Sequence, residues 1–140
     1  MKVALIGATG MIGSRLLAEL SRRGHEVTAI VRHPEKVPAL PKVQPHKGDV
    51  LDEKGLAALL KGHDATISAV RFAQSDPAKL IGAAKASGVK RYLAVGGAGS
   101  LEVAPGKKLF DTPEFPAMHK TEAKAGGDFL DLLRAETALD

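Results

Sequence analysis

Near the start of the chain, three glycines at three-residue spacing separate a short apolar run from a helical pattern. The apolar run covers residues 3–6, and Gly7, Gly10 and Gly13 stand in the stretch GATGMIG. A strand, a glycine-rich turn and a helix in this order can bind a phosphate at the amino end of the helix. There Gly7 would allow a tight turn, Gly10 a close backbone approach to a pyrophosphate, and Gly13 close packing of the helix on the sheet. A plain strand-to-helix turn is the alternative.

Strands and helices alternate along most of the chain. The patterns predict strands at residues 3–6, 26–31, 43–47, 65–70 and 92–95, and helices at 11–23, 52–62, 77–88 and 117–138, with 105–117 irregular. This alternation predicts an α/β fold, a Rossmann-type doubly wound parallel sheet of strand order 3-2-1-4-5 in three layers, α/β/α. With 140 residues, we expect one domain over 1–140.

Composition limits the classes of partner and location. The chain has 20 basic and 16 acidic residues, no cysteine, four phenylalanines and one tyrosine. The basic residues are scattered, so we expect a mixed-charge surface and no nucleic-acid partner. No apolar run approaches the roughly 20 residues of a membrane span, and no secretory signal pattern is present. We therefore expect no membrane partner and a cytoplasmic location. The histidines His25, His46 and His63 show no metal-ligand spacing, so we predict no metal site.

The residue after the second strand distinguishes the two nicotinamide dinucleotides. An NAD site usually has an acidic residue there, which accepts hydrogen bonds from the ribose 2′-hydroxyl group. This chain has Arg32 and His33 instead. A guanidinium group binds a 2′-phosphate with charge-assisted hydrogen bonds, so the sequence favours NADP over NAD. Asp49 and Val50 in GDVLD follow the third strand, where Asp49 either accepts the adenine amino group or is an ordinary turn residue.

Further cofactor contacts are expected where the other strands end. Ligands of doubly wound sheets bind at the carboxyl ends of the strands, at the point where strand order reverses. Arg71 could reach a pyrophosphate or an anionic substrate, and Gly96 and Gly97 would let the backbone lie close to a nicotinamide. The remaining expected cofactor contacts are Thr9, Met11 and Ile12 in the glycine loop, Ala69 and Val70 after the fourth strand, and Lys120.

With GATGMIG, VRHPEK, GDVLD and MHK, the chain resembles the atypical short-chain dehydrogenases of the NAD(P)H-binding, NmrA-like group. That group includes proteins like NADH-flavin reductase and biliverdin reductase B. The resemblance covers essentially the whole chain and implies a Rossmann fold that binds NAD(P)H. Family members usually continue with a sixth strand and a substrate-side region, so we expect these parts to be missing here. An uncovered fifth-strand edge would then favour a homo-oligomer.

The residues for ketone chemistry are absent. Typical short-chain dehydrogenases use a Tyr-x-x-x-Lys pair as proton donor, but the one tyrosine, Tyr92, lies in a strand and has Gly96 four residues later. A flavin or quinone delocalises the incoming charge, so water can complete the protonation. The resemblance to biliverdin reductase B implies site roles for Ser100 and His119. A turn serine and a histidine at a helix start explain these two residues equally well.

Two functions from different classes follow. The first is an NADPH-dependent oxidoreductase that transfers a hydride to a small-molecule acceptor, a flavin, quinone or similar conjugated compound. The second is a non-catalytic NmrA-like regulator that senses NAD(P). An epimerase or dehydratase would need the missing tyrosine and a larger substrate domain. We favour the enzyme because the family resemblance points to flavin reductases.

Overall fold

A computed structural model describes residues 1–140 and contains one five-stranded parallel sheet. The strands are β1 (Lys2–Ile6), β2 (Glu26–Val31), β3 (Val43–Lys47), β4 (Ala65–Ser68) and β5 (Arg91–Ala94). Their order is β3-β2-β1-β4-β5, and every neighbouring pair is parallel. The predicted Rossmann-type fold and strand order are confirmed. Strand order reverses between β1 and β4, so their carboxyl ends open the crevice in which such folds bind ligands.

Four α-helices connect or follow the strands: α1 (Met11–Arg22), α2 (Glu53–Leu60), α3 (Pro77–Ser87) and α4 (Ala117–Ala135). Two of them begin at the aspartates that the sequence predicts as caps. The Asp52 carboxylate accepts the Gly55 N–H at 3.1 Å, and the Asp76 carboxylate accepts the Ala78 N–H at 3.0 Å. Such caps satisfy backbone donors that have no partner inside the helix. None of the four helices has the length and apolar character of a membrane-spanning segment.

The two faces of the sheet are covered unequally. One face packs on α2, α3 and α4, with Leu56, Leu80 and Phe129 in its core, while the other packs on α1 through Leu17. Successive strand residues serve opposite faces: Ala4 and Ile6 belong to the first core and Leu5 to the second. Beyond the reach of α1, Leu93 of β5 stays 45% exposed.

The structure departs from the predicted bounds in several places. β5 covers residues 91–94 rather than 92–95, and α4 ends at Ala135 rather than residue 138. β4 ends at Ser68 rather than residue 70, and the chain passes through a short 3₁₀ helix, Phe72–Gln74, before α3. The segment expected to be irregular contains part of a small hairpin, β6 (Glu102–Ala104) and β7 (Lys107–Lys108), whose turn places Gly106 at φ +72°. Past α4, Asp140 pairs with the outer edge of β5 by two backbone bonds, to Lys90 and Tyr92, both 2.8 Å long.

Candidate functional site

The glycine loop has the close packing that its spacing predicts. Gly7 adopts φ +85°, and a Cβ atom there would lie 2.6 Å from the Ala69 carbonyl oxygen. A Cβ atom on Gly13 would overlap the Gly7 carbonyl oxygen. Gly10 is exposed, with its nearest neighbour 3.5 Å from a Cβ position. Gly7 and Gly13 therefore allow the strand, turn and helix to pack closely, and Gly10 leaves the backbone open to a ligand.

The amino end of α1 has no side-chain cap, unlike α2 and α3. Gly10 is its N-cap residue and provides no side-chain oxygen. The first backbone N–H groups of α1 therefore have no partner within the helix. Together with the partial positive charge of a helix amino terminus, they make the space beside Thr9 and Gly10 suitable for an anion.

A cavity of about 530 Å³ opens at this helix end and runs along the carboxyl ends of the strands. Nine of the predicted cofactor contacts line it: Gly7, Thr9, Gly10, Arg32, Asp49, Val50, Ala69, Val70 and Arg71. Ile6, Ile30, Val31, Gly48, Leu51 and Gln74 complete the lining, and sequence reasoning did not select them. The cavity therefore brings together the ends of β1, β2, β3 and β4, as ligand binding at a switch point requires.

Two arginines supply positive charge to this cavity. Arg32 and Arg71 are both exposed, and neither forms an ion pair with an acidic side chain of the protein. Asp49 is the one acidic residue of the lining, and its carboxylate accepts the Leu51 N–H at 2.8 Å. These features fit a phosphate-containing dinucleotide: the start of α1 is uncapped, the backbone at Gly10 is open, and the guanidinium groups of Arg32 and Arg71 have no acidic partner.

A second, smaller cavity of about 190 Å³ lies beside the first. Phe72 and Phe115 provide aromatic surface, His119 provides an imidazole, and Glu122 a carboxylate; Gly97, Gly99, Ala123 and Gly126 complete the lining. A Cβ atom on Gly99 would lie 2.6 Å from the Ala123 Cβ and one on Gly126 2.9 Å from the Phe72 ring, so these glycines let the wall pack closely. The aromatic surface suits a planar ligand. The two cavities border the same short segment, because Arg71 and Gln74 line the first and Phe72 lines the second.

The other predicted site residues are spread around these cavities. Gly97 and His119 line the smaller one, whereas Gly96 is exposed near the end of β5. Ser100 is half-buried against α4, where a Cβ atom on Gly127 would lie 3.0 Å from the Ser100 Cβ. His33 turns toward Glu35, with 3.5 Å between ring nitrogen and carboxylate. Met11, Ile12 and Lys120 are exposed, Gly13 is buried, and none of the four lines either cavity.

The single tyrosine lies in the core and not in a cavity. Tyr92 is 8% exposed, and its hydroxyl group is 2.9 Å from that of Ser68. Burial raises the pKa of Tyr92 to about 12, because the charged phenolate is poorly solvated there. Tyr92 therefore cannot take the proton-donor role that a tyrosine has in typical short-chain dehydrogenases.

Sequence reasoning missed Phe72, Phe115 and Glu122. These residues belong to a short 3₁₀ helix, an irregular segment and a long helix, so no local pattern indicates that they meet. The one available signal is composition: with four phenylalanines in the chain, a phenylalanine directly after a strand-end arginine is a candidate for a site wall. No group of three or more His, Cys, Asp or Glu side chains is gathered as for a metal ion.

Comparison with known proteins agrees with this geometry. A family model described as NAD(P)H-binding matches residues 7–139. YwnB of Bacillus subtilis strain 168, an uncharacterized protein, is 37% identical over 98% of this chain and 68% of its own length. A candidate epimerase from Bacteroides thetaiotaomicron is 42% identical with a TM-score of 0.91, covering 99% of this chain and 67% of the other. A candidate NADH-flavin reductase from Streptococcus pneumoniae TIGR4 is 38% identical with a TM-score of 0.78, covering 100% and 69%.

The family match spans nearly the whole chain, including the glycine loop, both arginines of the larger cavity and α4. The relatives and the sheet topology agree with it. The chain therefore belongs to the NAD(P)H-binding family and resembles the oxidoreductases of the atypical short-chain dehydrogenase type.

Proposed function

We propose that the chain is an NADPH-dependent oxidoreductase that transfers a hydride to a flavin, a quinone or a similar conjugated small molecule. The observation that carries this proposal is the pair of cavities that border residues 71–74, one lined by two arginines and the glycine loop and the other by two phenylalanines. The larger cavity suits a dinucleotide, and the smaller suits a planar ring beside its reactive end. The likeness to a candidate NADH-flavin reductase supports the same acceptor class.

Binding of the dinucleotide is assigned to the larger cavity. The N–H groups at the start of α1 and the Thr9 hydroxyl group would hold the pyrophosphate. Arg32, exposed and without an acidic partner, would bind the 2′-phosphate by charge-assisted hydrogen bonds. Asp49 lines the same cavity, and its carboxylate would accept the adenine amino group.

The acceptor is assigned to the smaller cavity. Phe72 and Phe115 would stack on its ring, and His119 would orient it or move a proton to it. NADPH, when bound, supplies the hydride and leaves as NADP⁺, while water or His119 supplies the proton that completes a two-electron reduction. The chain's main contribution is positioning, because the acceptor itself delocalises the charge.

The test is NADPH oxidation by the purified protein, followed by absorbance, with FMN, riboflavin and a small quinone as acceptors. Protein-dependent oxidation that is faster with NADPH than with NADH is the expected result. A matched comparison with Phe115→Ala separates catalysis at the smaller cavity from trace metal or free-flavin chemistry, because only the former depends on that side chain. Saturable NADPH binding without oxidation of any acceptor would contradict the proposal.

The second candidate is a regulator that binds NAD(P) without turning it over. The burial of Tyr92 favours it, because no tyrosine is left to act as a proton donor. In that case nucleotide binding would change the surface that a partner protein contacts. NADPH binding that alters the protection of α4 amides from hydrogen exchange, in a protein with no reductase activity, is the outcome that would favour this function.

A further inference from the structure

Glu122 of α4 is hydrogen-bonded to the backbone of a segment about fifty residues earlier in the chain. Its carboxylate accepts the Phe72 N–H at 2.7 Å and the Ala73 N–H at 2.8 Å, one with each oxygen. These N–H groups belong to the 3₁₀ helix Phe72–Gln74 between β4 and α3. Both are donors at the start of a short helix, and a carboxylate satisfies them with charge-assisted bonds.

The same segment also packs on α4. The Phe72 ring meets the Phe129 ring edge to face, with centroids 5.6 Å apart. It also lies over Gly126, where a Cβ atom would come within 2.9 Å of the ring. The Glu122 bonds and this ring contact fix the segment on one side, so its other side presents Arg71 and Gln74 to the larger cavity.

Arg71 has no acidic partner that would hold its guanidinium group in place. Its direction therefore depends on the backbone that carries it. The Arg71 carbonyl oxygen accepts the Gln74 N–H at 3.2 Å and the Ser75 hydroxyl at 3.0 Å, so the turn that Glu122 caps includes Arg71. Loosening this turn would spread Arg71 over more conformations and raise the entropy lost when a phosphate binds it.

We propose that Glu122 is a positioning residue for the dinucleotide, which acts through the backbone of residues 71–74 to direct Arg71 at the bound phosphates. The proposal rests on the dinucleotide occupying the larger cavity. Glu122 itself does not line that cavity; it lines the smaller one. An acceptor in the smaller cavity would therefore contact the same carboxylate that holds the cofactor segment.

The alternative is that Glu122 only secures α4 to the sheet. Loss of Glu122 would then lower stability without a specific dependence on Arg71. A double-mutant cycle separates the two roles, because side chains that act through one another give non-additive effects and independent ones give additive effects.

The experiment is a titration of NADPH binding, without acceptor, for Glu122→Ala, Arg71→Ala and the double variant. We expect Glu122→Ala to raise the Kd about tenfold, the size of a lost charge-assisted contact. The Kd of the double variant should then equal that of Arg71→Ala to within about twofold. A twofold difference corresponds to a free energy close to the error expected for additive mutations. Glu114→Gln, an exposed carboxylate before α4 with no hydrogen bond to the 71–74 segment, is the matched control and should leave the Kd unchanged.

Glu122→Gln keeps one acceptor oxygen and should restore part of the affinity. It also serves if the alanine variant does not fold. Two results would overturn the positioning role. One is the same Kd for wild type, Glu122→Gln and Glu122→Ala. The other is a Kd increase in the double variant that equals the product of the increases in the two single variants. This binding experiment is independent of the reductase proposal. If the protein oxidised NADPH with none of the acceptors, the reductase proposal would be contradicted, but the Kd values of the variants would be unaffected.

Discussion

The hydroxyl groups of Ser68 and Tyr92 lie 2.9 Å apart inside the core, on the sheet face that packs on α2, α3 and α4. Phe129 of α4 packs on the Tyr92 ring with centroids 6.3 Å apart. The chain's one tyrosine is thus a structural residue, and its polar atom is satisfied within the protein. A reductase with this arrangement depends on cofactor and acceptor geometry more than on an acid from the protein.

Replacing Tyr92 with phenylalanine should lower stability and leave the cavities intact. The Ser68 hydroxyl group would lose its partner in the core, which costs about 1–2 kcal/mol of unfolding free energy. Urea unfolding at neutral pH measures this loss, and NADPH binding should change by less than about twofold, a free energy difference below 0.5 kcal/mol. A large loss of NADPH affinity would show that Tyr92 is close to the ligand after all.

The same variant should change the alkaline limit of stability. Because the pKa of Tyr92 is raised from 10.0 to about 12, the folded state holds the phenolic proton more tightly than the unfolded state. The resulting stabilisation is present below pH 10 and is lost as the pH rises from 10 to about 12. Unfolding measured across this window should show wild type losing on the order of 2 kcal/mol relative to Tyr92→Phe. Parallel pH curves would contradict this assignment.

Replacing Arg32 with aspartate should reverse the cofactor preference. A carboxylate would repel the 2′-phosphate and accept hydrogen bonds from a 2′-hydroxyl group. The Kd for NADPH should rise about 10- to 100-fold, and the Kd for NADH should stay within about threefold, as for loss of one charge-assisted contact. Lys61→Asp makes the same change in charge after α2, outside both cavities, and should change neither value. An unchanged NADPH/NADH ratio in Arg32→Asp would remove Arg32 as the selector.

Replacing Gly13 with alanine should destabilise the fold. The new Cβ atom would overlap the Gly7 carbonyl oxygen, which is backbone and cannot rotate away. We expect a loss of about 2 kcal/mol in unfolding free energy and a fall of several degrees in Tm. Gly96→Ala is the matched control, because no atom lies within 4 Å of a Cβ atom there. Equal Tm values for the two variants would mean that α1 can shift away from the loop.

Replacing His119 with asparagine should affect the acceptor and not the cofactor. His119 lines the smaller cavity and not the larger one. The KM for a flavin or quinone should therefore rise several-fold, while the Kd for NADPH stays constant. A conjugated acceptor needs little help with protonation, so kcat should fall by less than the roughly 100-fold that loss of an essential acid causes. His46→Asn, on the exposed strand β3, serves as the control. Equal KM values for wild type and His119→Asn would place the acceptor elsewhere.

Much of the fold could be predicted because its determinants are local. Buried parallel strands appear as short apolar runs, and Asp52 and Asp76 mark helix starts by the side-chain oxygen that each provides. The end of β4 could not be predicted from its apolar residues. Ala69 and Val70 continue the apolar run, but β4 ends at Ser68. Ala69 already lies against the glycine loop, where a Cβ atom on Gly7 would come within 2.6 Å of its carbonyl oxygen.

Site residues could be predicted where their position depends on local structure, and not where it depends on tertiary packing. Parallel strands end at one edge of the sheet, so residues shortly after the ends of β1, β2, β3 and β4 reach the larger cavity. They include Gly7, Arg32, Asp49 and Arg71. Phe115 and Glu122 come from segments after β5. Their position depends on where α4 packs, and sequence periodicity does not predict which segment a helix packs against.

The parallel sheet, its strand order and the glycine loop are therefore predictable from the sequence, because each depends on short-range backbone geometry and on apolar periodicity. Tertiary structure alone decided that Tyr92 is buried with Ser68, that Glu122 caps the 71–74 segment, and that two cavities share that segment. These relationships join residues tens of positions apart. The pairing of β4 with β5 brings Ser68 to Tyr92, and the packing of α4 on the sheet brings Glu122 to the 71–74 segment.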